Sequence, residues 1–128
     1  MSNPTILVVD DQVAVRKLLE ATLRAENFLV MAACHGQDAL DQLARTGKTP
    51  GLALVDLRMP VMDGTHTLVA LKERFPHLPV VMMTAVGDTD QRAELGRLGA
   101  ERTIGKPFDL EQIRTLVADL LANEKEDS

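Results

Sequence analysis

Two patterns of apolar and polar positions alternate along the chain. Short continuous apolar runs recur at 5–9 (TILVV), 28–33 (FLVMAA), 52–57 (LALVDL) and 79–84 (PVVMMT). Each gives way to helical spacing. After the first run, Val15, Leu18, Leu19, Thr22 and Leu23 share one helical face. After the second, 36–44 reads as a short helix that buries Ala39, Leu40 and Leu43. After the third, 65–75 reads as a helix with Leu68, Leu71 and Phe75 inward. A fourth helix is predicted over 88–98, with Asp88 and Gln91 spaced as a capping box and Gly99 as its C-terminal stop. A weak fifth strand follows over 101–104. The last helix covers 109–122, capped by Asp109, with Ile113, Leu116, Val117, Leu120 and Leu121 on its core face.

The fourth helix is the weakest. Gly96 inside it costs about 1 kcal/mol relative to alanine. Its apolar face is thin, mainly Ala93, Leu95 and Leu98. It is expected to be the most mobile of the five.

Strand followed by helix, five times over, is an α/β pattern. Strands that are apolar without alternation are buried on both faces, so the sheet is parallel with helices on either side. The reading is one domain over residues 1–128, with its core at about 5–122 and a short polar tail, NEKEDS, at 123–128.

Composition narrows the possibilities. Aromatic residues make up only 2% of the chain, three Phe with no Tyr or Trp, so the core rests on aliphatic side chains, Met and Ala. The net charge is −5, and no Lys/Arg cluster is present. That argues against direct nucleic-acid binding. The single cysteine, Cys34, cannot form an internal disulfide, which suits a reducing cytosol. It reads as a small, half-buried thiol. No basic signal region opens the sequence and no apolar run reaches membrane-spanning length, so a soluble, cytoplasmic protein without membrane insertion is expected.

Chemistry enters at the strand ends. Right-handed crossovers bring the carboxyl ends of parallel strands to one edge of the sheet, where doubly wound folds bind ligands. The first strand ends at Asp10-Asp11, the third at Asp56, the fourth at Thr84-Ala85 and the fifth near Lys106-Pro107. Carboxylates brought that close repel one another. A hard divalent cation with oxygen ligands relieves the repulsion, and Mg²⁺ is the natural candidate. Lys106 adds a positive charge, Thr84 a hydroxyl, and Ala85 a backbone N–H. Such a set suits a phosphoryl group attacked in line by a carboxylate.

The motifs ILVVDDQ, LVDLRMPVMDG, VVMMTA and GAERTIGKPFD, in that order and at strand ends, resemble the receiver domains of two-component response regulators, in particular the stand-alone chemotaxis type. The resemblance runs from Ile6 to about Leu121. It implies a flavodoxin-like (βα)5 fold with strand order 2-1-3-4-5. It implies that Asp56 is the phosphoacceptor and a metal ligand, that Asp11 ligates Mg²⁺ directly and Asp10 mainly through water, and that the backbone carbonyl of Arg58 completes the protein ligands. Thr84, Lys106 and the Ala85 amide would contact phosphoryl oxygens, and a cis bond at Lys106-Pro107 would aim the lysine at the pocket. The implied role is a signalling switch rather than an enzyme. The donor would be a sensor histidine kinase or phosphotransfer protein, and a downstream protein effector would read the result.

Two features depart from, or qualify, that pattern. Thr103 stands where the family usually carries an aromatic ring three residues before the lysine, which leaves a receiver-fold interaction module working without phosphorylation as the alternative. Arg58 and Val86 occupy positions that border the attacking water in the family, so they are expected to tune the lifetime of the acyl phosphate. An aspartyl-phosphate phosphohydrolase would need its nucleophile on the first strand and an acid two residues on, where this chain has Gln12. The histidines lack ligand spacing, the methionines read as packing, and the 46–50 segment (TGKTP) lacks the spacing of a phosphate loop.

Overall fold

In the computed structural model, which describes residues 4–85 and 91–126, five strands and five helices alternate. They are β1 (Thr5–Val9), α1 (Val13–Ala25), β2 (Leu29–Ala33), α2 (Gly36–Thr46), β3 (Leu52–Asp56), α3 (Gly64–Arg74), β4 (Val80–Thr84), α4 (Arg92–Arg97), β5 (Arg102–Gly105) and α5 (Leu110–Glu126). All strand pairs are parallel, in the order β2-β1-β3-β4-β5. This is the parallel sheet expected from the unalternated strands, in the flavodoxin-like strand order that the resemblance implies.

Successive strand residues face opposite layers. Leu7, Val9, Ala53, Val55, Val80 and Met82 join Ala39, Leu43, Leu68, Leu71 and Leu95 on one side, that of α2, α3 and α4. Ile6, Val8, Leu52, Leu54, Val81 and Met83 join Leu19, Leu23, Ile113 and Val117 on the other, that of α1 and α5. Every residue of β3 and β4 is buried, which explains why those two runs carry no polar alternation.

The caps follow local chemistry. Asp63 caps α3 by accepting from the His66 N–H, and Asp109 and Gln112 exchange side-chain and backbone bonds at the start of α5. Gly47 ends α2 in the left-handed region. Val61 also has positive φ, 69°, and the Met62 N–H reaches back to the Pro60 carbonyl across it. A β-branched residue is strained there.

Three expectations are revised. Leu18, expected to face the core, is 49% exposed, because it sits at the margin of the apolar stripe of α1 and lines the cleft at the carboxyl edge of the sheet. Cys34 is exposed rather than half-buried. It lies one residue past β2, where the chain turns and its amide donates to Asp38. The described α4 is short, and Ala93 is exposed, so Leu95 is its one buried residue and Leu98 packs only in part. Asp88 of the expected capping box, and Val86, lie outside the described residues.

Candidate functional site

The site is made of strand ends. Asp56 is the last residue of β3, Thr84 is the last of β4, Asp10 and Asp11 follow β1, and Lys106 follows β5. The parallel registers that pair Val9 with Val55, Asp56 with Met83, and Thr84 with Gly105 fix their heights along the sheet. Asp11, Gln12, Asp56, Arg58, Ala85 and Lys106 line a cavity of about 580 Å³ at that edge.

Asp10 is fully buried and Asp56 is 7% exposed, whereas Asp11 stands at the surface. One carboxylate oxygen from each of the three lies within 4.8 Å of the others. Lys106 is their counter-charge. Its Nζ donates to Asp10 Oδ2 at 2.8 Å and stands 3.4 Å from Asp56 Oδ1. The other oxygen of Asp10 accepts from the Gln12 N–H at 2.9 Å, and the Arg16 guanidinium donates to the Asp10 carbonyl.

This arrangement perturbs Asp56. Burial raises its pKa first, and the neighbouring Asp10 charge adds to that. Lys106 opposes both, and the carboxyl ends at about 6, against an ordinary 3.8. At neutral pH Asp56 is therefore mainly ionised, in a place that disfavours the charge. The stored repulsion is released by any cation that enters.

An oxygen-only set of three carboxylates fits a hard divalent cation and offers nothing to a soft one. Asp10 has both oxygens already engaged, by the Gln12 amide and by Lys106. Asp11, exposed at the mouth, and Asp56 have lone pairs to spare. The cluster is thus capable of holding a divalent metal ion.

The loop after Asp56 is held by close packing. Gly64 donates its N–H to the Leu57 carbonyl at 2.8 Å. A Cβ on Gly64 would stand 2.3 Å from the Asp56 carbonyl oxygen and 2.5 Å from Leu57 Cα. Only glycine lets the start of α3 lie against the strand end that carries Asp56. The Asp63-Gly64 turn thus sets where the loop sits.

On the far side, the Lys106 N–H donates to the Thr84 carbonyl, tying the lysine to the end of β4. Lys106-Pro107 is cis, as the resemblance implies. Thr84 itself is buried, and its hydroxyl reaches the Ile104 carbonyl at 3.5 Å instead of lining the cavity. Thr103 is half-buried beside a groove between β5 and α5.

Asp10, Asp11, Asp56 and Lys106 thus meet, Arg58 and Ala85 border the same cavity, and Thr84 lies just beneath it. Gln12 and Arg16 were missed from sequence. Gln12 sits immediately after the acidic pair at the helix-capping position, a place where Ser, Thr, Asp or Asn is preferred. That mismatch was the available signal.

The description "response regulator receiver domain" matches residues 6–118. Sporulation initiation phosphotransferase F of Bacillus subtilis (strain 168) is 38% identical over 121 residues, 94% of this chain and 96% of that protein. The DNA-binding transcriptional regulator NtrC of Escherichia coli (strain K12) is 36% identical over 126 residues, 98% of this chain but 26% of that protein. The solved receiver domain of NtrX from Brucella abortus superposes with a TM-score of 0.84 at 30% identity, over 91% of this chain and 98% of that one. No described helix is long and apolar enough to cross a membrane.

Proposed function

This chain belongs to the response regulator receiver domain family, phosphoacceptor switches rather than conventional enzymes, and from that premise we propose that Asp56 accepts a phosphoryl group with Mg²⁺ as the metal. The observation that carries the reading is the meeting of three carboxylates from two strand ends with the Lys106 ammonium in one cavity.

Asp56 is the nucleophile. One of its oxygens bonds to phosphorus as the bond from phosphorus to the donor's leaving atom breaks, giving an acyl phosphate. Asp11, Asp56 and the Arg58 backbone carbonyl would hold the metal, with Asp10 mainly through water. Both Asp10 oxygens already accept a hydrogen bond, which supports its indirect role. When bound, Mg²⁺ supplies charge neutralisation to the transferring oxygens. Lys106 contacts a phosphoryl oxygen from the opposite side, its ammonium being 3.4 Å from Asp56 in the resting state. The Ala85 N–H, next to the end of β4, donates to another. The Thr84 hydroxyl leaves Ile104 for the phosphoryl group. The 3.5 Å length of its present bond makes that exchange cheap.

The donor is a sensor histidine kinase or phosphotransfer protein in the cytoplasm, and a downstream protein effector reads the phosphorylated state. The whole of residues 1–128 acts as a single receiver, with its core at about 5–122. A second reading, favoured by Thr103 in the place of an aromatic ring, is an interaction module that works without phosphorylation.

Intact mass after incubation with acetyl phosphate separates the two. A gain of one phosphoryl group that requires Mg²⁺ and disappears in Asp56→Asn supports the first. A folded protein that never gains mass supports the second.

A further inference from the structure

Gln12 occupies the N-cap position of α1, yet its side chain makes no capping bond. Instead its Oε1 accepts from Lys106 Nζ at 3.0 Å, across 94 residues of sequence. The ammonium therefore has two short partners, Asp10 at 2.8 Å and Gln12, and one longer one, Asp56 at 3.4 Å. Of these three acceptors, Gln12 alone is uncharged.

That difference has a chemical consequence. A divalent cation among the three carboxylates competes with Lys106 for Asp10 and Asp56, and repels the ammonium directly. The carbonyl of Gln12 is not drawn toward that cation's place by any charge of its own. It remains as an acceptor at the mouth of the cavity while the charged partners are diverted. A lysine side chain released into solvent regains rotamer freedom and must be ordered again before it can meet a phosphoryl oxygen.

We propose that Gln12 is a positioning residue: its side-chain carbonyl tethers the Lys106 ammonium at the cavity mouth, so that the lysine is in place when the phosphoryl group arrives. This rests on the reading of Asp56 as phosphoacceptor. Gln12 itself touches no reacting atom. The capping interaction it forgoes is the cost of the arrangement, since a shorter Ser or Asp would cap α1 but could not reach Lys106.

The same trade supplies the test. Gln12→Ser restores a capping hydroxyl and removes the tether. It is compared with wild type and with Gln12→Glu, which keeps an oxygen acceptor at the same reach. Three quantities are read: melting temperature, the phosphorylation rate with acetyl phosphate at saturating Mg²⁺, and the Lys106 side-chain ammonium signal by ¹⁵N NMR with and without Mg²⁺. The expected result for Gln12→Ser is an unchanged or higher melting temperature and a rate at least about fivefold lower, as for a group displaced from its working position. Its Lys106 ammonium signal shifts or is lost to solvent exchange. Gln12→Glu keeps that signal in the absence of Mg²⁺. A Gln12→Ser rate within twofold of wild type overturns the tether, and so does a slower rate with an unchanged ammonium signal. If wild type itself gains no phosphoryl group, the phosphoacceptor reading fails instead, and the two failures are told apart.

Discussion

Replacing Asp56 by asparagine should make the metal-free protein more stable. The carboxylate lies 7% exposed beside the fully buried Asp10, and its pKa is raised from 3.8 to about 6. The folded state therefore holds the proton more tightly than the unfolded chain does. A group shifted upward contributes its full stability below its unfolded pKa and loses it as the pH rises through the folded value. The interval of roughly two units corresponds to about 3 kcal/mol at neutral pH. Burial leads that cost, the Asp10 charge adds to it, and the Lys106 ammonium has already been counted against it. The neutral asparagine escapes the charge penalty. Urea unfolding in the presence of a chelator, from pH 3.5 to 8, measures the difference directly. The variant should match wild type near pH 4, pull ahead between about 4 and 6, and hold a lead of about 3 kcal/mol above that, roughly 10 °C in melting temperature. Saturating Mg²⁺ should narrow or reverse the gap, because the cation favours the ionised carboxylate. A gap that does not change with pH, or a less stable variant at pH 7, would refute the claim that this carboxylate is held charged against its surroundings.

The same electrostatics set the sign for the lysine. Lys106→Met leaves the buried Asp10 and Asp56 without their ammonium, so the metal-free protein should lose about 3 kcal/mol at pH 7. The loss should shrink when Mg²⁺ is added, and unfolding in chelator against Mg²⁺ checks both statements. Gly64→Ala puts a methyl group against the backbone of Asp56 and Leu57. It should cost about 1–3 kcal/mol and slow phosphorylation even in the folded fraction, as read by denaturant titration and by acetyl phosphate labelling.

The strand ends were readable because two constraints coincide there. Runs such as Leu52–Asp56 are buried throughout, so any polar residue they carry has to sit where the sheet opens. Parallel crossovers then bring all such ends to one edge. That logic brings Asp10, Asp11, Asp56 and Lys106 together.

Side-chain direction was less legible. Spacing along α1 put Leu18 with Leu19, yet a helical stripe has margins, and 100° of rotation separates neighbours. Cys34 was misjudged for a related reason, since it follows the last residue of β2, where the burial pattern stops applying. Gln12 carried no periodic signal at all. Its unusual place at a helix cap is the one local hint, and its bond to a residue 94 positions away is visible only in the fold. Thr84 marks a third kind of limit. Its place at the end of β4 is evident from the sequence, but the turn of its hydroxyl to the Ile104 carbonyl and not to the cavity is a rotamer that no spacing fixes.

The central claim is that, of the three clustered carboxylates, Asp56 alone takes the phosphoryl group. Borohydride reduction after acetyl phosphate and Mg²⁺ treatment converts an acyl phosphate into the corresponding alcohol, and peptide mass mapping then locates it. The account predicts homoserine in place of Asp56 and unmodified Asp10 and Asp11. Homoserine in place of Asp10 or Asp11, or a phosphorylated protein with Asp56 unaltered, would contradict it.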